Sequence, residues 1–305
     1  MRNAFIKCLI EQARVDDRIF VLTPDLGFSV LEGYAQEFPE RFLNVGIAEQ
    51  NAVSVAAGLA LSGKIVYVYG IIPFVTMRCF EQVRIDVAYM NTNVRLVGVG
   101  AGLSYGPAGA THHAVEDIAI MRALPNMTVC CPGDPVEVRE LTKCSFSYEG
   151  PMYIRLGKNG ENVVHSGQES IKLGKAIQIT EGQDAALITT SNLLELGREW
   201  VDEWRREKKA VALISMHTVK PLDREIIYNL IEKRIPIMTL EEHNIIGGLG
   251  SAIAEVIAES GKGISFFRIA VPDVFIHHIG SQSILRNCAG IKKPSLSAWL
   301  RKYEI

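Results

Sequence analysis

Apolar positions along the first half of the chain recur at two periods. Phe5, Ile6, Leu9, Ile10 and Ala13 fall at helical spacing, with Arg2, Lys7, Glu11 and Gln12 between them, which predicts a helix over 2–13. Residues 19–23 form a short apolar run closed by Pro24-Asp25-Leu26-Gly27, the pattern of a buried strand and its turn. The same alternation continues, with strands expected at 42–45, 65–69, 94–99, 127–131 and 152–156. Helices are expected between them at 49–61, 76–89, 115–123 and 135–147, the first closed by Gly63. The strand at 94–99 opens into a glycine-rich loop, Gly98 to Gly109. Strands alternating with helices imply a mostly parallel sheet covered on both faces.

Residues 157–174 are polar, contain four glycines and show no strong period. The pattern then restarts, with strands at 185–190, 210–215, 236–241 and 266–270 and helices at 193–206, 223–233 and 250–259. The expected organisation is therefore a first domain over 1–160, a linker over 161–175 and a second, smaller domain over 176–305. The fold class is α/β, two α/β sandwich domains with mostly parallel sheets.

A length of 305 residues agrees with two domains, and 48% hydrophobic with 22% charged residues argues against a disordered or fibrous chain. A net charge of −2 argues against a broad basic surface for nucleic acid. The six cysteines include no C-x-x-C pair, and Cys130 and Cys131 are adjacent, a pattern of reduced, mostly buried thiols. The longest weakly polar stretch, 65–77, is broken by Gly70 and Pro73 and is shorter than the ~20 residues of a membrane helix. The first residues read as an amphipathic helix rather than a targeting signal. A cytoplasmic protein with no membrane contact is expected.

Several chemistries lack their motifs. Gly98-Val99-Gly100-Ala101-Gly102-Leu103 has Leu103 where a dinucleotide fingerprint needs glycine, and Gly247-Gly248-Leu249-Gly250 has the wrong spacing. There is no Walker loop, no H-E-x-x-H and no G-x-S-x-G. The informative segment is Asn44-Val45-Gly46-Ile47-Ala48-Glu49-Gln50-Asn51-Ala52, where a carboxylate meets the start of an Ala-rich helix. Alone, Glu49 reads as a first-turn acid complementing the helix macrodipole.

Further segments change that reading. They are Pro73-Phe74-Val75-Thr76-Met77-Arg78 and Phe80-Glu81-Gln82-Val83-Arg84, then Gly106-Pro107-Ala108-Gly109-Ala110-Thr111-His112-His113, Glu116-Asp117 and Met121-Arg122-Ala123-Leu124-Pro125-Asn126. In the second domain stand Glu241-Glu242-His243-Asn244 and Gly247-Gly248-Leu249-Gly250. In this order, over essentially the whole chain, they resemble the C-terminal half of transketolase, as in split transketolases and the related deoxyxylulose-phosphate synthases. The resemblance implies a pyrimidine-binding domain followed by a transketolase C-terminal domain.

It also implies roles. The cofactor of the family is thiamine diphosphate, which carries the hard chemistry while the protein orients it. The family's glutamate, which hydrogen-bonds N1′ of the aminopyrimidine, falls on Glu49. Phe74 is the positional match for a ring stacked on the pyrimidine, and Arg78 and Asp25 are further cofactor-side residues. His112 matches the histidine lining the substrate channel, whereas His113 departs from the usual glutamine. Arg2, Ser29 and Arg155 are the matches for a substrate-phosphate clamp, with Lys158 a neighbouring candidate, since guanidinium forks suit phosphate. Pro107 and Ala108 stand where members of the family often carry an acid that reads a sugar hydroxyl, which puts the usual pentose phosphates in doubt.

The family holds the diphosphate and its Mg²⁺ or Ca²⁺ through G-D-G followed by a distant asparagine, and this chain has only Pro132-Gly133-Asp134-Pro135. No metal ligand is therefore assigned here. The resemblance implies a separate N-terminal subunit that carries that motif, in an α2β2 assembly with small-molecule sugar substrates. The function implied is transfer of a two-carbon ketol unit from a ketose to an aldehyde. The alternatives are the beta subunit of a 2-oxo acid dehydrogenase, a deoxyxylulose-phosphate-synthase-like enzyme, and a noncatalytic scaffold subunit.

Overall fold

A computed structural model describes residues 1–305 apart from Asn159, Gln168, Tyr303, Glu304 and Ile305. The first sheet holds β1 (Ile19–Thr23), β2 (Phe42–Asn44), β3 (Ile65–Ile71), β4 (Val94–Val99), β5 (Thr128–Cys130) and β6 (Met152–Leu156). The second domain adds β7 (Ile177–Thr180), β8 (Ala185–Thr189), β9 (Val211–Ser215), β10 (Thr218–Lys220), β11 (Ile237–Asn244) and β12 (Phe266–Val271). The seven-stranded sheet runs β10-β5-β6-β4-β3-β1-β2, and the five-stranded sheet runs β12-β11-β8-β9-β7. All pairings are parallel except β10 with β5 and β7 with β9, both at sheet edges. The result is the expected α/β class, two mostly parallel sheets with helices on both faces.

Every position of β4 is buried, as a central parallel strand requires. Its one charge, Arg95, survives there because the guanidinium donates to the carbonyls of Ser145, Tyr148 and Gly150. On one face of the first sheet, Leu22, Val66 and Val68 pack with Ala52, Val53 and Ala56 of the helix Glu49–Leu61. On the other face, Val21, Tyr67 and Ile154 meet Phe5 and Leu9 of the helix Arg2–Ala13 and Leu141 of the helix Pro135–Ser147.

The expected helix at 76–89 is differently built. It starts earlier, at Ile72–Thr76, because Pro73 in its first turn is already set at a helical φ. The backbone then slips, since the N–H groups of both Met77 and Arg78 bond to the Pro73 carbonyl. It resumes at Phe80–Gln82 and widens into π-helical turns over Val83–Tyr89. Strands β7 and β10 and the helices Glu32–Glu37, Gln282–Cys288 and Leu296–Lys302 have no counterpart in the periodicity reading. Strand β10 comes from the second half of the chain but extends the first sheet. No helix among the described residues is long and apolar enough to cross a membrane.

Candidate active site

Strands β1, β3, β4 and β6 end at the same edge of the first sheet, where parallel sheets present their ligand-binding loops. After β2 the chain turns at Gly46, with φ +74°, a conformation that glycine adopts without strain. Asn44 fixes this turn. Its Oδ1 accepts from the N–H groups of Gly46 and Asp25 at 2.9 and 3.0 Å, and its Nδ2 donates to Asp25 Oδ1 at 3.0 Å. Asp25 itself is exposed, with φ +54°.

Glu49 then opens the helix Glu49–Leu61 and is only 4% exposed. Arg78 Nη1 donates to its Oε1 at 2.8 Å. No hydrogen bond reaches Oε2 among the described residues. The Arg78 guanidinium also lies over the Phe74 ring, 4.2 Å from the centroid. Phe74 meets His112 edge-on at 5.1 Å between centroids, and His112 meets Tyr105 at 5.8 Å. His112 Nδ1 is 3.0 Å from Thr111 Oγ1. Glu49, Arg78, Phe74 and His112 thus form one connected string, although they come from three separate stretches of sequence. His113 turns inward instead. Burial lowers its pKa, and its Nε2 has no partner among the described residues.

Beside this string lies a cavity lined by Arg2, Gly27, Phe28, Tyr69, Gly70 and Tyr105, among others. Lys158 lies over the ring of Tyr105, one of these lining residues, with Nζ 4.5 Å from the centroid. Ser29, exposed and with φ +63°, sits one residue beyond the lining, and its N–H is held by Glu32.

Arg155 requires a correction. It is fully buried, and all three of its nitrogens are engaged. Nε donates to Asp117 Oδ2 at 2.8 Å and Nη1 to Ser191 Oγ at 2.9 Å. Nη2 donates to the Ala114 and Glu242 carbonyls and to Asp117 Oδ1. Burial opposes its charge, but Asp117 outweighs burial and the guanidinium pKa rises. A side chain so enclosed ties the two domains together and offers nothing to a substrate phosphate.

Sequence reasoning also missed the use of Glu241-Glu242-His243. Glu241 accepts from the N–H groups of Leu249 and Gly250, both at 2.7 Å, at the start of the helix Leu249–Glu259. A Cβ on residue 248 would stand 2.1 Å from Glu241 Oε2, which explains the glycine there. Glu242 accepts from Leu103 N–H, Asn192, Gln282 and Arg286, binding the second domain to the glycine-rich loop. His243 Nε2 accepts from Ala119 N–H at 3.3 Å. The Gly133-Asp134 pair is likewise structural. Asp134 caps the helix Pro135–Ser147 and binds His165 Nδ1 at 2.9 Å. Among the described residues, no three His, Cys, Asp or Glu side chains are placed to hold a metal ion.

A two-domain α/β chain with a buried helix-start glutamate beside an aromatic ring, at the strand ends of the first sheet, defines the class. The transketolase pyrimidine-binding domain model matches residues 1–161, and the transketolase C-terminal domain model matches 174–296. The chain belongs to the transketolase family. It is 37% identical to a putative transketolase C-terminal section of Methanocaldococcus jannaschii, over 90% of this chain and 87% of that one. It is 36% identical to an apulose-4-phosphate transketolase subunit of Phocaeicola vulgatus, over 93% and 91%. A solved split-gene transketolase, described as an inactive beta4 tetramer, superposes with TM-score 0.88 at 35% identity, covering 99% of this chain and 96% of that one.

Proposed function

We propose that this chain is the C-terminal subunit of a two-chain transketolase, with residues 1–160 as the pyrimidine-binding domain and 176–305 as the C-terminal domain. It would move a two-carbon ketol unit from a ketose phosphate to an aldehyde. The observation that carries the reading is the buried Glu49 carboxyl, with one oxygen held by Arg78 and the other without a partner among the described residues, next to Phe74.

That arrangement fits the aminopyrimidine of thiamine diphosphate, which needs a carboxyl for its ring nitrogen and an aromatic face. When bound, the cofactor supplies the carbon nucleophile of the reaction. Glu49 would share a proton with the pyrimidine N1′. Arg78 would hold Glu49 in its rotamer, and Phe74 would orient the ring. His112, half-buried at the mouth, would hydrogen-bond the substrate oxygen on which charge changes. Arg2 and Lys158 are the cations available to an anionic substrate end, and they replace Arg155 in that role. Asp25 and Ser29 on the loop after β1 stay as candidates on the cofactor and substrate sides.

The diphosphate and its Mg²⁺ or Ca²⁺ would be held mainly by a separate N-terminal subunit, in an α2β2 assembly in the cytoplasm. Its G-D-G motif has no equivalent here, where Asp134 is spent on a helix cap and His165. The test is reconstitution. The chain should have no turnover until a co-purifying subunit, thiamine diphosphate and Mg²⁺ are added. Full activity of the chain alone would defeat the proposal.

A further inference from the structure

The cavity beside Arg2 contains a buried phenol outside the string of Glu49, Arg78, Phe74 and His112. Among the described residues, four tyrosines are buried: Tyr34, Tyr67, Tyr69 and Tyr153. Three have partners for their hydroxyls. Tyr34 donates to the Ile19 carbonyl at 3.0 Å, Tyr67 pairs with Ser145 Oγ at 2.7 Å, and Tyr153 donates to Asp117 at 2.6 Å. Tyr69, 3% exposed near the end of β3, leaves its hydroxyl buried with no partner among the described residues. Burial pushes its pKa up, and Arg2, which lies close enough to act on the hydroxyl, opposes that push without forming a full hydrogen bond to it. A buried hydroxyl left unpaired is disfavoured unless something outside the folded chain satisfies it. Tyr69 lines the cavity, so a ligand can do so.

A second phenol bounds the same space. Gly100 has φ +94°, and a Cβ on it would stand 2.2 Å from a ring carbon of Tyr105. The missing side chain lets the Tyr105 ring lie against the backbone. Its ring also carries Lys158 Nζ, and it touches His112. Tyr105 is thereby fixed as a wall between the cavity and the site. Among the described residues the lining has no carboxylate, and Pro107 and Ala108 on the same loop supply none. The charged and strong donor groups are Arg2 and the two phenols, a set that suits a ligand rich in acceptors, an oxyanion.

We propose that Tyr69 is a substrate-binding residue whose hydroxyl donates to an oxygen of the substrate's anionic end beside Arg2, and that the Tyr105 ring limits the carbon chain that fits between that end and His112. This rests on the transketolase reading for the role of His112 alone. The cavity itself is built from this chain.

The test uses Tyr69→Phe, which removes only the hydroxyl oxygen, with circular dichroism as the fold control. The probe is sn-glycerol 3-phosphate, titrated calorimetrically into the full chain, with glycerol as the uncharged control. The wild type should bind the phosphate, and Tyr69→Phe should weaken it by about one to two orders of magnitude, as expected for a hydrogen bond to a charged group. With the partner subunit, cofactor and Mg²⁺ present, the same variant should raise KM for glyceraldehyde 3-phosphate with kcat little changed. Tyr105→Ala should raise kcat/KM for five-carbon aldose phosphates relative to three-carbon ones. Equal phosphate affinity in wild type and Tyr69→Phe would overturn the Tyr69 assignment. An unchanged chain-length preference in Tyr105→Ala would overturn the Tyr105 assignment. Tyr69-dependent phosphate binding without turnover in the reconstituted enzyme would uphold the cavity and defeat the transketolase reading instead.

Discussion

Arg78 Nη1 lies 2.8 Å from Glu49 Oε1, pairing a largely exposed cation with a buried carboxylate at the first position of a helix. The pair holds one carboxylate oxygen and leaves the other available to the site. It depends on the slipped backbone at Met77 and Arg78, because an unbroken helix over 72–89 would carry Arg78 in a different direction.

Replacing Glu49 with Gln should leave the fold unchanged and slow exchange of the cofactor's C2 proton by about 10²–10⁴-fold, the usual scale of a lost acid–base partner. The measurement is NMR-detected exchange in the reconstituted enzyme, with circular dichroism as the fold control. Exchange at the wild-type rate would reduce Glu49 to a helix-start residue.

Arg2→Ala and Lys158→Ala should behave differently from Arg155→Ala. The first two should raise KM for phosphorylated acceptors by about ten-fold or more, with little effect on free aldehydes. Arg155→Ala breaks a buried ion pair and leaves Asp117 uncompensated, a loss of about 3–5 kcal/mol in stability. Steady-state kinetics on matched acceptors, together with urea denaturation, separates the two classes. A stable Arg155→Ala enzyme with a selective phosphate defect would restore Arg155 to the clamp.

Asp134, His165 and Glu137 give a pH dependence of stability. Burial disfavours the His165 cation, but the hydrogen bond to Asp134 and the ion pair with Glu137, 3.2 Å from Nε2, outweigh it and hold its pKa at about 10, above the ordinary 6.5. Its contribution should be complete below about pH 6.5 and lost as pH rises through about 10. Burial alone would raise Asp134, but His165 and the backbone N–H groups of Glu137 and His165 bring it down to about 2 from 3.8. That contribution should be complete above pH 3.8 and lost as pH falls through about 2. Denaturation midpoints of the wild type should therefore fall on both sides of an acidic-to-neutral plateau. The alkaline fall should be weaker in His165→Asn, and an identical alkaline limb in the variant would refute the triad's role.

Glu242→Ala should loosen the join between the domains. It removes the acceptor of Arg286, Gln282, Asn192 and Leu103 N–H together, leaving buried donors unpaired. Calorimetric unfolding should separate into two transitions at lower temperature. A single transition at the wild-type temperature would show that the remaining contacts between the domains, those of Arg155 and His243 among them, suffice.

Much of this architecture was legible from local pattern. Apolar runs such as Val94–Val99 and the alternating helices specify a parallel α/β sheet, because burial on both faces leaves a direct periodic trace. The asymmetry of Gly-Ile-Ala-Glu and the Thr111-His112 loop pointed to Glu49, Phe74 and His112 through their resemblance to a family. Short or edge elements such as β7 and β10 left no such trace, since β10 spans three residues and exists only through its pairing with β5. The fate of each arginine was also invisible along the chain. Arg2, Arg78 and Arg155 are chemically identical, and only the packing of both domains decided that Arg78 faces Glu49 while Arg155 is sealed against Asp117. The unpaired hydroxyl of Tyr69 belongs to the same category, because whether a buried polar atom finds a partner depends on which distant residues the fold brings within reach of it.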